Sequence, residues 1–233
     1  MDTPVNVNQA VRWAFATFRG NLLAFLSLAA VVTAVQFLQV VSLDPLQNLL
    51  LDCADPQTPG QEAACTSALG SPALVSIGLV LVLQILIYLT MVGVIRGALW
   101  ATQGRIPAFD ALLSGRNLLV YLVVQIVYAL LVGIGVLLLI VPGILVILFL
   151  QFAPYFAVDR GTGLVASCSG SIRIARRNLA AAFVAMALNL IVLLIGSMIF
   201  GLLTLIALPF VALVTANIYR QMNGEAIVEA YPR

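Results

Sequence analysis

Residues Leu137 to Arg160 read LLLIVPGILVILFLQFAPYFAVDR. The run is almost wholly apolar, yet it holds a Pro142-Gly143 pair and a second proline at Pro154. Two readings compete. The pair kinks one long buried helix, or it turns the chain and sends it back across a membrane.

Arginine spacing separates them. All eleven basic residues of the chain are arginine, and it has no histidine. Arg-free stretches of about 42 residues run from Arg116 to Arg160 and from Arg177 to Arg220. At ~1.5 Å per residue, each would make roughly 63 Å of helix, about twice a ~30 Å hydrocarbon core. That length suits two spans and not one. Proline removes a helix donor and glycine permits a tight reversal, so the spacing predicts a hairpin turn at Pro142 and Gly143.

Composition agrees with a membrane location. The 233 residues are 63% hydrophobic and 9% charged, whereas soluble domains carry about 25% charged residues. The net charge of +2 is small, which points away from nucleic acid. The sequence predicts an all-α polytopic membrane protein with about six spans, near residues 21–43, 73–95, 117–140, 142–158, 179–201 and 203–219. Residues 1–233 read as a single membrane domain. Asp2, Arg12 and Arg19 precede the first apolar run, which argues against a cleavable signal peptide. The arginine-bearing segments then share one face, and the positive-inside rule makes that face cytoplasmic, with both termini inside the inner membrane. Asp44, Asp52, Asp55 and Glu62 fall in one outer loop, about 44–72, together with Cys53 and Cys65. Those two cysteines are disulfide candidates in an oxidising compartment.

The hairpins open alike: FRGNLLAFL from Phe18, GRNLLVYL from Gly115 and RRNLAAAF from Arg176. A short amphipathic segment precedes each. In the first, Ala10, Val11, Ala14, Phe15 and Phe18 keep helical spacing beside Trp13. The others are Pro107 to Asn117 and Gly163 to Asn178. These predict three interfacial helices, apolar face among headgroups and arginine in water. An arginine anchor and an Asn N-cap would explain the Arg-Asn pairs equally well. Arg173, Arg176 and Arg177 form the densest basic cluster and are candidates for lipid headgroup contact.

VPGI at Val141, APYFAVD at Ala153 and SIRIARRN at Ser171 carry a resemblance. The pattern resembles uncharacterised bacterial six-span membrane proteins of the YciC type. It is also similar to the membrane domain attached to some glycerophosphodiester phosphodiesterases. Pro142, Gly143, Pro154, Asp159, Ser171 and Asn178 match the order of that pattern, best between about 117 and 220. The resemblance implies fold and membrane location, and no catalytic chemistry.

The residues themselves suggest none either. Without histidine there is no imidazole base or ligand, and three scattered cysteines do not make a zinc site. No catalytic residue, metal or cofactor is expected. No charged residue falls inside the expected spans, which weakens a proton-coupled carrier. Gln125, Gln151 and Asn189 come from three spans at similar depth and could converge on a polar pocket. Ordinary interhelical hydrogen bonding would use the same amides. Asp159 beside Arg160 reads as a solvated local pair or a cap. The resulting expectation is a non-enzymatic accessory or scaffold protein that packs against membrane lipid, another membrane protein or itself. A small carrier for a lipid-like solute, lined by the mid-depth amides, is the alternative.

Overall fold

The computed structural model describes residues 5–54, 65, 67, 70–105, 115–198 and 203–229. Among the described residues the chain is all-helical and holds no strand. The helices are α1 (Val7–Gly20), α2 (Leu22–Asp52), α3 (Ser71–Thr102), α4 (Leu118–Leu138), α5 (Ile140–Leu150), α6 (Ala153–Arg160), α7 (Leu164–Arg177), α8 (Leu179–Met198) and α9 (Thr204–Met222). Five helical stretches are long and apolar enough to cross a membrane: α2, most of α3, α4, α5 with α6, and α9. The pair α7 and α8, bent by 112° at their junction, makes a sixth if it is counted as one broken span.

Helices α2 and α3 pack on one another, as do α4 and α5. Helix α9 lies at the centre and touches α1, α2, α3 and α8. Its most apolar stretch is 61% buried, against 17% for α4. Large apolar side chains instead point outward from α2, α3, α4 and α5, among them Phe37, Val75, Leu137 and Ile140. An apolar exterior of this kind suits contact with lipid rather than water.

The chain does reverse between α4 and α5, but not at the expected residues. Leu139 leaves the helix with φ −165° and ψ 143°, and α5 starts at Ile140. The start of α4 and the end of α6 then meet: the Asn117 side-chain amide donates to the Val158 carbonyl at 3.1 Å. Pro142 and Gly143 lie in the first turn of the returning helix. Proline is harmless there because first-turn N–H groups have no helical partner. Gly143 serves close approach. A Cβ on Gly143 would sit 2.5 Å from Val136 Cγ2, and one on Gly135 would sit 2.9 Å from the Gly143 Cα.

The first two spans are longer than expected. α2 continues to Asp52, so Asp44 and Asp52 belong to a helix rather than a loop. α3 runs past Arg96 to Thr102, which puts that arginine inside a helix, buried. Asp55 and Glu62 lie outside the described residues. Cys53 and Cys65 are joined by a disulfide, with their Cα atoms 5.6 Å apart.

The Arg-Asn repeat acquires a structural meaning at two of its three places. Asn21 and Asn178 adopt nearly the same backbone conformation, φ −129°, ψ 35° and φ −133°, ψ 54°. Each stands between a short helix and a span. Each side-chain amide donates to the carbonyl four residues back, Thr17 and Ile174 respectively. Asparagine therefore closes the C-terminus of the incoming helix; it does not N-cap the span by its side chain, as the sequence suggested. Asn117 differs: it is left-handed at φ 61°, a conformation asparagine tolerates well. Most of the segment before it, residues 106–114, lies outside the described residues. The apolar faces of the short helices are also used differently from expectation. Ala10, Trp13, Ala14 and Phe18 of α1 are buried against the bundle, chiefly α9. Ser167, Gly170, Ser171 and Ile174 of α7 are buried in a region packed by α5 and α6.

Replacing Gly143 by valine should splay α4 from α5 and destabilise the protein by about 1–3 kcal/mol, whereas Pro142→Ala should change little. Thermal unfolding in mild detergent checks both; equal losses would return the turn to the Pro-Gly pair.

Candidate functional site

Two polar constructions stand out within the apolar bundle. The first repairs a broken span. Pro154 has no N–H, so an uninterrupted helix through 140–160 would leave a carbonyl without its donor. The helix breaks at Gln151-Phe152, and α6 starts with Pro154 in its first turn. Ser171 of α7 enters the gap. Its hydroxyl donates to the Phe149 carbonyl at 2.7 Å and accepts from the Phe152 N–H at 3.2 Å. Gln151 Nε2 donates to Leu148 O at 3.1 Å and to Ala182 O of α8 at 2.8 Å. The Leu148 and Phe149 carbonyls and the Phe152 N–H at the break thus find side-chain partners, and Gln151 reaches on to α8, as a water-poor interior favours.

The three amides expected to converge do not. The Gln151 amide nitrogen is spent on the break, and its Oε1 is buried without a hydrogen-bond partner. Asn189 donates to Ala185 O at 2.8 Å in its own helix and to Thr215 Oγ1 at 3.3 Å on α9. Gln125 is half-buried on α4 and shares no hydrogen bond with either. Thr215, itself buried, also hydrogen-bonds Tyr155. Gln39 and Gln84 tie α2 to α3 through one amide–amide bond of 2.8 Å. Interhelical bonding is what these residues do here. Pro209, by contrast, sits inside a continuous α9.

The second construction is an ion-pair cluster where the ends of α3, α6 and α9 meet. Arg220, in the last turn of α9, is 5% exposed. Its guanidinium holds both oxygens of Asp159, at 2.7 Å to Oδ1 and 3.0 Å to Oδ2. It also donates to Thr102 Oγ1 of α3 at 3.2 Å and to Glu225. The Tyr219 hydroxyl donates to Asp159 Oδ2 at 3.2 Å. The Tyr219 ring packs on Phe156 and Tyr155, with centroids 5.0 and 5.9 Å away. Arg160, the residue next to Asp159, turns outward to Glu225 at 2.5 Å and to Asn223. Asp159 is therefore chiefly the partner of a distant, buried arginine, while the Arg160 Nε next to it stays 3.9 Å from Oδ2 in a weaker local pair.

Glu225 belongs to a short tail after α9 that straps this end of the bundle. Val228 N donates to Thr102 O at 3.0 Å, and the Trp13 indole N–H donates to Val228 O at 2.9 Å. The N-terminus of α1 is pinned alongside, through Asn6 N to Gln221 Oε1 at 2.7 Å. Partial burial works to raise the Glu225 carboxyl, but hydrogen bonds from Arg220 and Arg160, with their charges, prevail and hold it below its ordinary value.

Sequence reasoning missed the Asp159–Arg220 pair because arginines were counted only as topological anchors. The available signal was two opposite charges at the equivalent ends of two apolar runs. Arg173, Arg176 and Arg177 are exposed on α7. The Arg176 guanidinium lies over the Phe149 ring at 5.8 Å, a cation–π contact near the repaired break. Cys168 on the same helix is a free thiol that burial pushes up. Among the described residues no group of acids, cysteines or histidines could hold a metal ion.

Removing one partner from a buried ion pair strands the other, at a cost of about 3–5 kcal/mol. Asp159→Ala or Arg220→Ala alone should lower the melting point in detergent markedly, while D159N/R220M loses less than the sum. Additive losses would remove the pair from the stability account. Because the Glu225 carboxyl titrates lower when folded than unfolded, its contribution is full above the ordinary value of 4.5 and is lost as pH falls through the depressed one. Acid should therefore release the strap and red-shift Trp13 emission. Glu225→Gln should remove the pH-dependent step.

The chain is 27% identical over 233 residues to an uncharacterised protein of Mycobacterium bovis, covering 97% of this chain and 71% of the relative. Two uncharacterised proteins of Mycobacterium tuberculosis strains show the same identity and coverage. No family model matches the chain, and no solved structure matches it.

Proposed function

We propose that this chain is a multi-pass protein of the cytoplasmic membrane, with both termini inside, that works without chemistry of its own. In this reading it is an accessory or scaffold protein, holding lipid or another membrane protein against its apolar flank. One observation carries the reading. The interior polar side chains that form bonds spend them on the bundle itself: Ser171 and Gln151 on a broken span, Asn189 on α9, Gln39 on Gln84, Arg220 on Asp159. A carrier or enzyme would hold such groups ready for a solute.

The sidedness rests on the arginines. Arg96, Arg116, Arg160 and Arg220 cluster at one end of the bundle, with Arg96 donating to the Arg116 carbonyl at 2.6 Å. The positive-inside rule makes that end cytoplasmic. The disulfide Cys53–Cys65 belongs to an oxidising side, and so to the outer face.

The likeness to the YciC-type membrane proteins is part of the same proposal. Pro154 and Ser171 meet at the repaired break, Asp159 holds Arg220, and Asn178 closes the α7 corner. Residues that share a pattern in sequence thus have structural jobs, which favours a common fold over a common catalytic site.

An impermeant thiol reagent applied to intact cells should reach Cys53 and Cys65 only after reduction, and Cys168 not at all. Labelling of Cys168 from outside would overturn the sidedness. Purification in gentle detergent should bring a stable membrane partner or bound lipid, and reconstituted vesicles should show no solute flux. Flux lost on Gln125→Leu or Asn189→Leu would replace the scaffold reading with the carrier.

A further inference from the structure

Of the three mid-span amides, Gln125 is the one that the bundle leaves without work. It is half-buried on α4 and makes no hydrogen bond with any described residue. Gln151 and Asn189 reach Ala182 O at 2.8 Å and Thr215 Oγ1 at 3.3 Å on neighbouring helices. Gln125 is the eighth residue of α4, about 10 Å along that helix from its start, which is below the reach of headgroups. A primary amide offers two donors and an acceptor. Acyl chains answer none of them, so an amide left alone at that depth is unfavourable. α4 is also the span that its own chain covers least: 17% of its most apolar stretch is buried, against 28% to 61% in the other four long spans.

Residues four apart share one side of a helix, and Gln125 is followed at that interval by Ala129 and Gly133. Gly135, which meets Gly143 of α5, faces elsewhere, because two residues turn a helix by about 200°. Gly133 is exposed, and no described atom lies within 4 Å of where its Cβ would stand. Glycine weakens a helix interior, and nothing in the described packing of this chain calls for one there. Small residues beside an amide let two helices approach closely and hydrogen-bond within a bilayer.

We propose that this flank of α4 docks a second copy of the chain, with the two Gln125 amides bonded to each other across a two-fold axis. Copies inserted in one membrane share one orientation, so the axis relating a pair runs along the membrane normal. Residues beside such an axis meet their own equivalents at the same depth. The group that faces Gln125 is then Gln125 itself. A primary amide is donor and acceptor at once and so complements its copy; Gln39 and Gln84 already make such a bond within the chain, at 2.8 Å. Ala129 and Gly133 keep the two backbones close over the next two turns. Docking of this kind goes beyond the scaffold reading and needs from it only that α4 crosses a bilayer.

Donor- and acceptor-tagged copies of the whole chain, reconstituted together in phosphatidylcholine vesicles, should show energy transfer above random encounter that untagged protein dilutes away. Gln125→Leu should weaken the association about fivefold, within the range of interhelical hydrogen bonds in membranes. Gln125→Asn keeps an amide and should lose less. Gly133→Leu should abolish association by holding the backbones apart. Neither position bonds within the chain, so helix content and melting in detergent should match the parent. A second measurement leaves Gln125 intact. In a Cys168→Ser background, mild thiol oxidation should join copies through Gly133→Cys but not through Leu131→Cys, which is 39% exposed at nearly the same depth and about 200° round the helix. No transfer above random encounter, association untouched by Gln125→Leu and Gly133→Leu, or equal joining through Leu131→Cys would overturn the docking face. A product with a different protein in native membranes, and none between copies, would give the flank to that protein and overturn self-docking. Partner capture and solute flux do not enter these readouts, so self-docking can fail while the scaffold reading stands, and the reverse.

Discussion

A backbone group without a partner in an apolar bundle has no water to turn to, and each such group costs several kcal/mol. Pro154 creates that problem in the middle of a span. The solution reaches well beyond the local turn. Ser171, 22 residues on from Phe149, supplies both a donor and an acceptor to the gap. Gln151 carries the repair on to α8. The break that Pro154 accompanies thus ties together α5, α6, α7 and α8 through Ser171 and Gln151. The small side chains on α7 follow from the same demand, because a hydroxyl can reach a neighbouring main chain only when the helices approach closely.

Polar economy of the same kind governs the charged end. Arg220 lies too deep to reach water, so its charge is answered by Asp159, Glu225 and Thr102 from three other parts of the chain. A buried pair of this sort is weak evidence for net stability, but it fixes register. Tyr219, one residue before Arg220, gives Asp159 a further bond and packs on the aromatic residues of α6. The tail and α1 close over the assembly through Glu225, Val228 and Trp13.

The two asparagine corners show how a repeat can be architectural without being catalytic. At Asn21 and Asn178 a short helix ends and a span begins within one residue, and the amide closes the last turn of the first helix. The arginine before each corner stays outside the apolar stretch. The incoming helices bury Ala10, Trp13, Phe18 and Ile174 against the bundle, which makes them part of its packing, while Phe15 and Val165 stay exposed.

Helical class, the approximate place of most apolar runs, and the reversal before Ile144 were legible in the linear pattern. Run length, charge spacing and proline chemistry are properties of the chain alone. Where the chain turned was not: Leu139 has no turn signature, and the reversal sits there because Gly135 and Gly143 let α4 and α5 approach just beyond it. The fate of the mid-depth amides was equally out of reach. Gln125, Gln151 and Asn189 share a depth in sequence, yet the packed helices send Gln151 to Ala182 and Asn189 to Thr215, and Gln125 joins neither. The pairing of Asp159 with Arg220, 61 positions apart, needed the packed bundle, because Coulomb attraction and burial depend on distance in space, which spacing along the chain does not encode.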